Sequence, residues 1–397
     1  MNDEILINLV NSDPRINKIV GCIYGHALGD AIGLQTEYKF KKNNPKIEFP
    51  YCESIRDFPV CDWTDDTDHL ILVMFSMIEN DFKFNPTDIA QKLKHWLGNG
   101  FKELGDTRGM GIGGTMSMVL SQPKFLTEPS AVANEIWQNS GKKLAANGSL
   151  MRTSIVGALP DIDFCEKWAA HLSLLTHADP RCVLSCVFQS VIVNHLIYRD
   201  INFERDVDSI LTASITNSRK YINIPYIELN EEKKTHQPTP KAYESSFSSI
   251  DDELSYWVQT AYTKNISELK LDEMVKVGYV FKSLACSVYT LQIIKVAIKN
   301  NSVPSFKKVI YKIASECGDA DTNCAVAGAI LGAHLGYKVL PKEWLNALPN
   351  KKWLDEIIIT FISKLTNQQE NTQSTEVTDR LNQCSPETEG QLENLPD

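Results

Sequence analysis

Two short clusters of acidic and hydroxyl side chains are the residues of this chain best suited to chemistry. They are WTDDTD at residues 63–68 and GDADTN at residues 318–323. Each cluster runs directly into an apolar segment, so each is predicted to lie at a helix N-terminus, where free N–H groups and the helix dipole favour negative charge. Carboxylate and hydroxyl oxygens suit a hard divalent cation such as Mg²⁺ or Mn²⁺, whereas zinc and copper prefer other ligands.

Helix capping is the alternative for either cluster alone, because Asp and Thr before an apolar run are good N-caps. Capping needs one acidic residue, however, and the adjacent Asp65 and Asp66 repel each other unless a cation offsets their charge. The presence of two clusters therefore favours a metal site with room for one or two ions, provided that the fold brings the two helix starts together.

The composition limits the classes of function. The 397 residues are enough for one large core or two moderate domains. A formal net charge of −10 without a Lys/Arg block argues against nucleic acid as a partner. The ten cysteines form no CxxC pair, the chain starts without a basic leader, and no charge-free apolar stretch is long enough to span a bilayer. We therefore expect a cytoplasmic monomer with reduced thiols and no membrane partner.

Helix-like apolar spacing recurs along most of the chain, and period-2 alternation is scarce. The pattern predicts a single all-α domain over residues 15–365. Within it, the polar and Pro-containing residues 222–252 are predicted to be a surface insertion. The acidic segment 366–397, rich in Gln, Asn, Ser and Thr, is predicted to be a disordered tail.

Two of the predicted helices carry glycines at intervals of four, which places the glycines on one face of each helix. Each glycine lowers helix propensity by about 1 kcal/mol, so a repeated stripe requires a packing reason. A face without side chains lets another backbone approach closely, and we expect both helices at the centre of the fold. The residues are Gly21, Gly25, Gly29 and Gly33 in the first helix and Gly328, Gly332 and Gly336 in the second.

Five segments in order give the chain a specific resemblance to a known family. They are GHALGDAIG at 25–33 with Glu37, WTDDT at 63–67, ANGSLMR at 146–152, LTHADP at 175–180 and GDADTN at 318–323. Together they resemble the ADP-ribosylglycohydrolases, which include dinitrogenase-reductase-activating glycohydrolase, ADP-ribosylarginine hydrolase and ADP-ribosylserine hydrolase. The resemblance spans roughly residues 18–340 and leaves out the insertion and the tail.

The resemblance implies a single-domain orthogonal helical bundle that holds two Mg²⁺ ions, or Mn²⁺, between the acidic clusters. It implies hydrolysis of the glycosidic bond between ADP-ribose and a protein side chain, with arginine favoured over serine, and release of ADP-ribose. The partner would be an ADP-ribosylated protein or an ADP-ribose-derived small molecule. The implied metal ligands are Thr64, Asp65, Asp66, Asp319, Asp321 and Thr322.

The resemblance also implies catalytic and substrate-binding residues. Glu37, Asp65 and Asp66 are the catalytic candidates, although Glu37 could equally be a solvated side chain past a helix end. The implied substrate contacts are Asn147, Gly148, Ser149, Met151 and His177. The chain departs from the family at one point: Glu103 stands where an Asp that shapes specificity is usual. Asp106 is the alternative candidate for that role, and the choice of linkage stays open.

Two other classes of function remain as alternatives. One is a non-enzymatic structural protein, since the same fold serves as a lens crystallin. The six implied metal positions all carry suitable oxygens, which argues against that role. The other is a metal-dependent phosphohydrolase acting on ADP-ribose-type nucleotides, which would break a P–O bond. The identity of the product separates the three.

Overall fold

Helices make up the regular secondary structure of the computed structural model, which describes residues 2–222 and 247–383. Within these residues there is no β-strand, and only two isolated β-bridges occur. The α-helices of this part of the chain are α1 (Asn2–Ser12), α2 (Pro14–Gly33), α3 (Asp65–Glu79), α4 (Pro86–Asn99), α5 (Gly114–Leu120), α6 (Pro129–Asn139), α7 (Ile162–Leu174), α8 (Pro180–Tyr198), α9 (Glu204–Arg219), α10 (Ile250–Thr263), α11 (Val280–Lys299), α12 (Phe306–Ala314), α13 (Ala320–Leu335), α14 (Lys342–Leu345) and α15 (Lys351–Gln383). The prediction of an all-α fold is confirmed.

The two glycine-striped helices, α2 and α13, pack against each other at the centre. A Cβ atom placed on Gly25 would lie 2.2 Å from the carbonyl oxygen of Gly328, and one on Gly29 would lie 2.1 Å from that of Cys324. No side chain fits at such distances, so the backbones meet because these positions are glycine. Both helices are buried over most of their length. The packing reason predicted for the stripes is confirmed.

Helices α8 and α11 are long and apolar enough to cross a bilayer by length and composition alone. In each helix most of the apolar window is buried inside the protein, 94% in α8 and 67% in α11. Core helices of globular proteins have the same property, so burial accounts for their hydropathy. Neither helix is a charge-free stretch, since α8 contains Arg181 and α11 contains Lys282.

The described boundaries differ from the predicted ones in three places. Helix α1 precedes the predicted start at residue 15 and buries Leu6 and Val10. Residues 223–246 of the predicted insertion lie outside the described residues, and α10 already begins at Ile250, where the Ser249 hydroxyl accepts from the backbone N–H of Asp252 (3.0 Å).

The third difference concerns the predicted disordered tail. Helix α15 continues through residue 383, although we predicted disorder from residue 366. The segment 351–383 contains neither Gly nor Pro, so no helix-breaking residue ends α15 earlier. Residues 384–397 lie outside the described residues, and their disorder stays a prediction.

Candidate active site

The N-terminus of α3 is held by Asp30, a buried carboxylate of α2. Asp30 accepts hydrogen bonds from the backbone N–H of Thr64 and of Thr67, both at 3.0 Å. It also accepts from the two threonine hydroxyls, at 2.8 Å and 2.6 Å. Burial raises the pKa of Asp30 to about 6, and these hydrogen bonds oppose the rise. Because Asp30 and the Thr64 hydroxyl occupy the capping donors, Asp65 and Asp66 do not cap the helix.

Asp68, the third acidic residue of the first cluster, forms hydrogen bonds within the fold. Its two carboxylate oxygens accept from the indole N–H groups of Trp63 (2.8 Å) and Trp96 (2.9 Å). Asp68 therefore ties α3 to α4. The carboxylates of the cluster that line the cavity described below are Asp65 and Asp66.

The second cluster is positioned by the loop that leads into α13. Gly318 has a φ of +76°, and its carbonyl accepts from the backbone N–H of Tyr38 (2.6 Å), which ties the start of α13 to the chain just past α2. The side-chain amide of Asn147 donates to the Asp319 carboxylate (2.6 Å) and to the Ser283 hydroxyl (2.8 Å). Asp319 is thereby oriented by residues far from it in sequence.

The two clusters meet around one cavity of about 340 Å³, a size within the usual range of ligand pockets. Carboxylate oxygens of Glu37, Asp319 and Asp321 all lie within 4.8 Å of one another. Five acidic side chains and two threonines line this cavity: Glu37, Asp65, Asp66, Asp319, Asp321, Thr115 and Thr322.

The electrostatics of the cavity fit a divalent cation. Burial, followed by repulsion from neighbouring carboxylates, raises the pKa values of Asp65, Asp66 and Asp321 well above the ordinary Asp value. Burial raises the pKa of Asp319 as well, against the hydrogen bond from Asn147. One buried oxygen of Asp66 has no hydrogen-bond partner within the described residues. A cation would compensate the charge and give that oxygen a partner.

A match to a family model identifies the family of this chain. The family model for ADP-ribosylglycohydrolase matches residues 11–374. The chain belongs to the ADP-ribosylglycohydrolase family. Members of this family are metal-dependent hydrolases that act on ADP-ribose glycosidic bonds, and this protein is an enzyme, a hydrolase of this family. The resemblance inferred from the five segments is confirmed.

Individual relatives are distant but match over most of their length. ADP-ribosylarginine hydrolase Tri1 of Serratia proteamaculans is 24% identical over 363 residues, which cover 88% of this chain and 80% of the relative. ADP-ribosylhydrolase ARH3 of Mus musculus is 24% identical over 355 residues, which cover 83% and 86%. A solved structure titled ADP-ribosylglycohydrolase-related protein complex is similar in fold, with a TM-score of 0.57 at 18% identity, covering 88% of this chain and 99% of that one.

Four of the five substrate-binding residues predicted for this ADP-ribosylglycohydrolase line the cavity, namely Asn147, Gly148, Met151 and His177. The fifth does not. The hydroxyl of Ser149 is fully buried and forms a hydrogen bond with the Ser173 hydroxyl (2.9 Å). The short 3-10 helix Asn147–Ser149 turns successive side chains in different directions, so the structure does not bring Ser149 to the cavity, and a substrate contact for it stays a prediction.

His177 faces the cavity as a neutral imidazole. Burial and the nearby Arg152 charge lower the pKa of His177 to about 3. The His177 Nδ1 atom lies 2.9 Å from the Thr176 hydroxyl, whereas Nε2 has no partner within the described residues. Arg152 bonds both to the carbonyl of Gly148 (3.1 Å) and to the Thr176 hydroxyl (2.6 Å), which holds the loop and the imidazole together.

Three further predicted residues fall outside the cavity. Thr64 is not among the lining residues, because its hydroxyl bonds to Asp30. The Asp106 carboxylate accepts from the backbone N–H of Phe101 (2.9 Å) and closes a loop, while Glu103 is exposed on the 3-10 helix Lys102–Leu104. Neither candidate for the specificity role therefore lines the cavity.

The glycine-rich run that follows lines the cavity instead. Gly111 has a φ of +90°, and a Cβ atom there would lie 2.2 Å from an oxygen of Asp65. Only glycine allows this approach of the backbone to the carboxylate. Gly113 and Gly114 also line the cavity.

Three residues at or behind the site, Asp30, Tyr38 and Arg56, were not predicted from the sequence. A signal was available for Asp30, because a carboxylate on an otherwise apolar, glycine-striped helix must be buried and therefore needs donors. For Tyr38 and Arg56 no local pattern pointed to the cavity.

Proposed function

We propose that this ADP-ribosylglycohydrolase cleaves the glycosidic bond between ADP-ribose and a modified protein side chain, with arginine as the favoured linkage, and that two Mg²⁺ ions serve as its cofactor. The observation that carries the proposal is the cavity where the two acidic clusters meet with uncompensated carboxylates. Arginine is favoured over serine because one relative is named an ADP-ribosylarginine hydrolase. Mn²⁺, another hard cation, fits the same oxygens.

The carboxylates of the cavity have two tasks in this reaction. Asp65, Asp66, Asp319, Asp321 and Thr322 would hold the ions, and a cation bound there would orient ribose hydroxyls and lower the pKa of a water molecule. The same negative field stabilises the positive charge that develops on the ribose ring in the transition state. Glycine at position 111 lets the backbone approach the Asp65 carboxylate closely.

The bond changes can be assigned to groups of this chain. The bond between the anomeric carbon and the guanidine nitrogen breaks, and a water oxygen bonds to that carbon. Glu37, whose carboxylate lies within 4.8 Å of those of Asp319 and Asp321, would accept the proton of the water and return it to the departing nitrogen. The free Nε2 atom of His177 beside Gly148 can hydrogen-bond the ADP-ribose moiety.

Release of intact ADP-ribose from an ADP-ribosylarginine substrate tests the proposal. We expect release with Mg²⁺ and none after EDTA, with activity restored by added metal. AMP or ribose 5-phosphate as the product would instead identify a phosphohydrolase. Failure to release ADP-ribose from arginine, serine and O-acetyl linkages would overturn the proposal in favour of a structural role.

The proposed metal ligands can be tested by removing one carboxylate from each cluster. Asp65→Ala and Asp321→Ala should each reduce turnover by at least about 100-fold, because removing even the supporting groups of a metal site costs 10–100-fold. Circular dichroism should show an unchanged helical fold. The matched control is Asp163→Ala, an exposed acid on α7, which should retain full activity. Full turnover in either cluster variant would contradict the proposed metal site.

A further inference from the structure

A cation of the protein itself contacts the edge of the cavity. Glu37 and Tyr38, which follow the end of α2, both line the cavity. The guanidinium of Arg56 forms an ion pair with the Glu37 carboxylate and lies over the Tyr38 ring, 4.9 Å from its centroid. The Glu37 side chain is only 7% exposed, whereas that of Arg56 is 44% exposed. The carboxylate thus belongs to the site, and the arginine reaches it from the solvent side.

The backbone around this contact is strained. Tyr38, Arg56 and Asp57 have φ values of +53°, +52° and +69°, in the left-handed region that non-glycine residues rarely adopt. Arg56 and Asp57 are the central residues of a tight turn closed by two hydrogen bonds between Ile55 and Phe58. Such turns favour Asn, Asp and Gly, so Arg is an unusual residue at the first central position. This backbone conformation is strained for residues that carry a Cβ atom.

Arg56 also lies within the electrostatic field of the acidic cluster. Its charge lowers the pKa values of Asp319 and Asp321 against the larger effect of burial. The guanidinium therefore sits where positive charge at the cavity mouth is favoured. A planar guanidinium is recognised by a carboxylate combined with an aromatic face, and Glu37 with Tyr38 supplies both.

We propose that Glu37 and Tyr38 form the subsite for the guanidinium of the substrate arginine, and that Arg56 is a resident guanidinium which the substrate displaces. The inference rests on the proposed function and narrows it to the arginine linkage. A serine linkage offers no cation to this subsite and would not have to displace Arg56. Removing Arg56 should therefore favour arginine-linked substrates selectively.

Calorimetric titration of the Mg²⁺-loaded protein with agmatine, an alkylguanidine, tests the subsite without turnover. Arg56→Ala should raise the affinity for agmatine about tenfold, since a competing ion pair and stacking contact are removed. Adding Tyr38→Ala to that variant should cancel most of the gain. The affinity for cadaverine, a diamine without a guanidinium, should change much less. Arg56→Gly, which suits the positive φ, replaces the alanine variant if that variant does not fold.

A matched control and a kinetic measurement complete the test. Arg205, at the start of α9, lies over the ring of Phe203 and outside the cavity. Arg205→Ala should therefore leave the affinity for agmatine unchanged. Arg56→Ala should lower the KM for an arginine-linked substrate about tenfold and leave that for a serine-linked one unchanged. An unchanged agmatine affinity, or an equal gain for cadaverine, would overturn the guanidinium subsite. Because binding is measured without turnover, that result is distinguishable from absent ADP-ribose release, which would overturn the proposed function instead.

Discussion

Asp30 is the residue on which the position of the first acidic cluster depends. It accepts four hydrogen bonds from Thr64 and Thr67. Asp30→Ala leaves two buried backbone N–H groups and two hydroxyls without their acceptor, which should lower the free energy of unfolding by about 2–3 kcal/mol. The affinity for Mg²⁺ should fall about 10–100-fold, because Asp65 and Asp66 lose the support that orients them. Urea unfolding and Mg²⁺ titration measure the two effects.

The size of the Asp30 effect is limited by the cost of burying its charge, which its pKa of about 6 reflects. Asp30→Asn keeps an acceptor oxygen and should be intermediate in both measurements. Unaltered Mg²⁺ affinity in a folded Asp30→Ala protein would show that α3 is positioned by other contacts.

At the scale of the elements, the contact between α2 and α13 sets the geometry of the site, because α2 carries Asp30 and α13 carries Asp321. Gly25→Ala would place a methyl group 2.2 Å from the carbonyl oxygen of Gly328 and push the helices apart. We expect a loss of about 1–3 kcal/mol in the free energy of unfolding, as for other overpacked cores. Chemical denaturation measures the loss.

The matched control for the element prediction is Gly98→Ala in α4. A Cβ atom at Gly98 meets nothing within 4 Å, so the higher helix propensity of alanine should stabilise the protein by up to about 1 kcal/mol. Equal effects of the two substitutions would contradict the close approach of the two backbones.

For the whole molecule, the acidic cavity makes both the stability of the fold and the binding of a metal ion depend on pH. The raised pKa values of Asp65, Asp66 and Asp321 mean that the metal-free folded state binds more protons than the unfolded state. These groups therefore stabilise the fold below the unfolded value of 3.8, and that contribution is lost as the pH rises through their raised values. Cations need deprotonated ligands, so the increase in Tm on adding Mg²⁺ should grow from about pH 5 to about pH 8.

Thermal scans with Mg²⁺ and with EDTA at each pH measure this increase. Buried histidines give the stability of the fold the opposite pH dependence, because burial lowers the pKa of His26 to about 4 and that of His177 to about 3. Their contribution to stability is lost as the pH falls. Taking the difference between the two scans largely removes their contribution. An increase that is constant with pH, or larger at pH 5, would contradict a carboxylate site for the metal.

Local patterns alone were sufficient for the helices, the glycine stripes and the two acidic clusters. Helix periodicity and residue chemistry are properties of short segments. The order of the five segments along the chain indicated the family. The helix ends were less accurate. Helix α1 buries Leu6 and Val10 ahead of the predicted start, and α15 continues to residue 383, where the polar composition predicted disorder although the segment lacks Gly and Pro.

Which oxygens face the cavity was decided by tertiary structure. Thr64 turns to Asp30, and Ser149 turns to Ser173, whereas Glu37 joins Asp319 and Asp321. These outcomes depend on contacts between residues far apart in the chain, and no local pattern encodes which partner a buried polar group finds. The residue types and their order along the chain set the chemistry available to this protein. The packing of α2 against α13 and the hydrogen bonds of Asp30 decided which of those groups meet, and the turn between Ile55 and Phe58 carries the Arg56 guanidinium that pairs with Glu37.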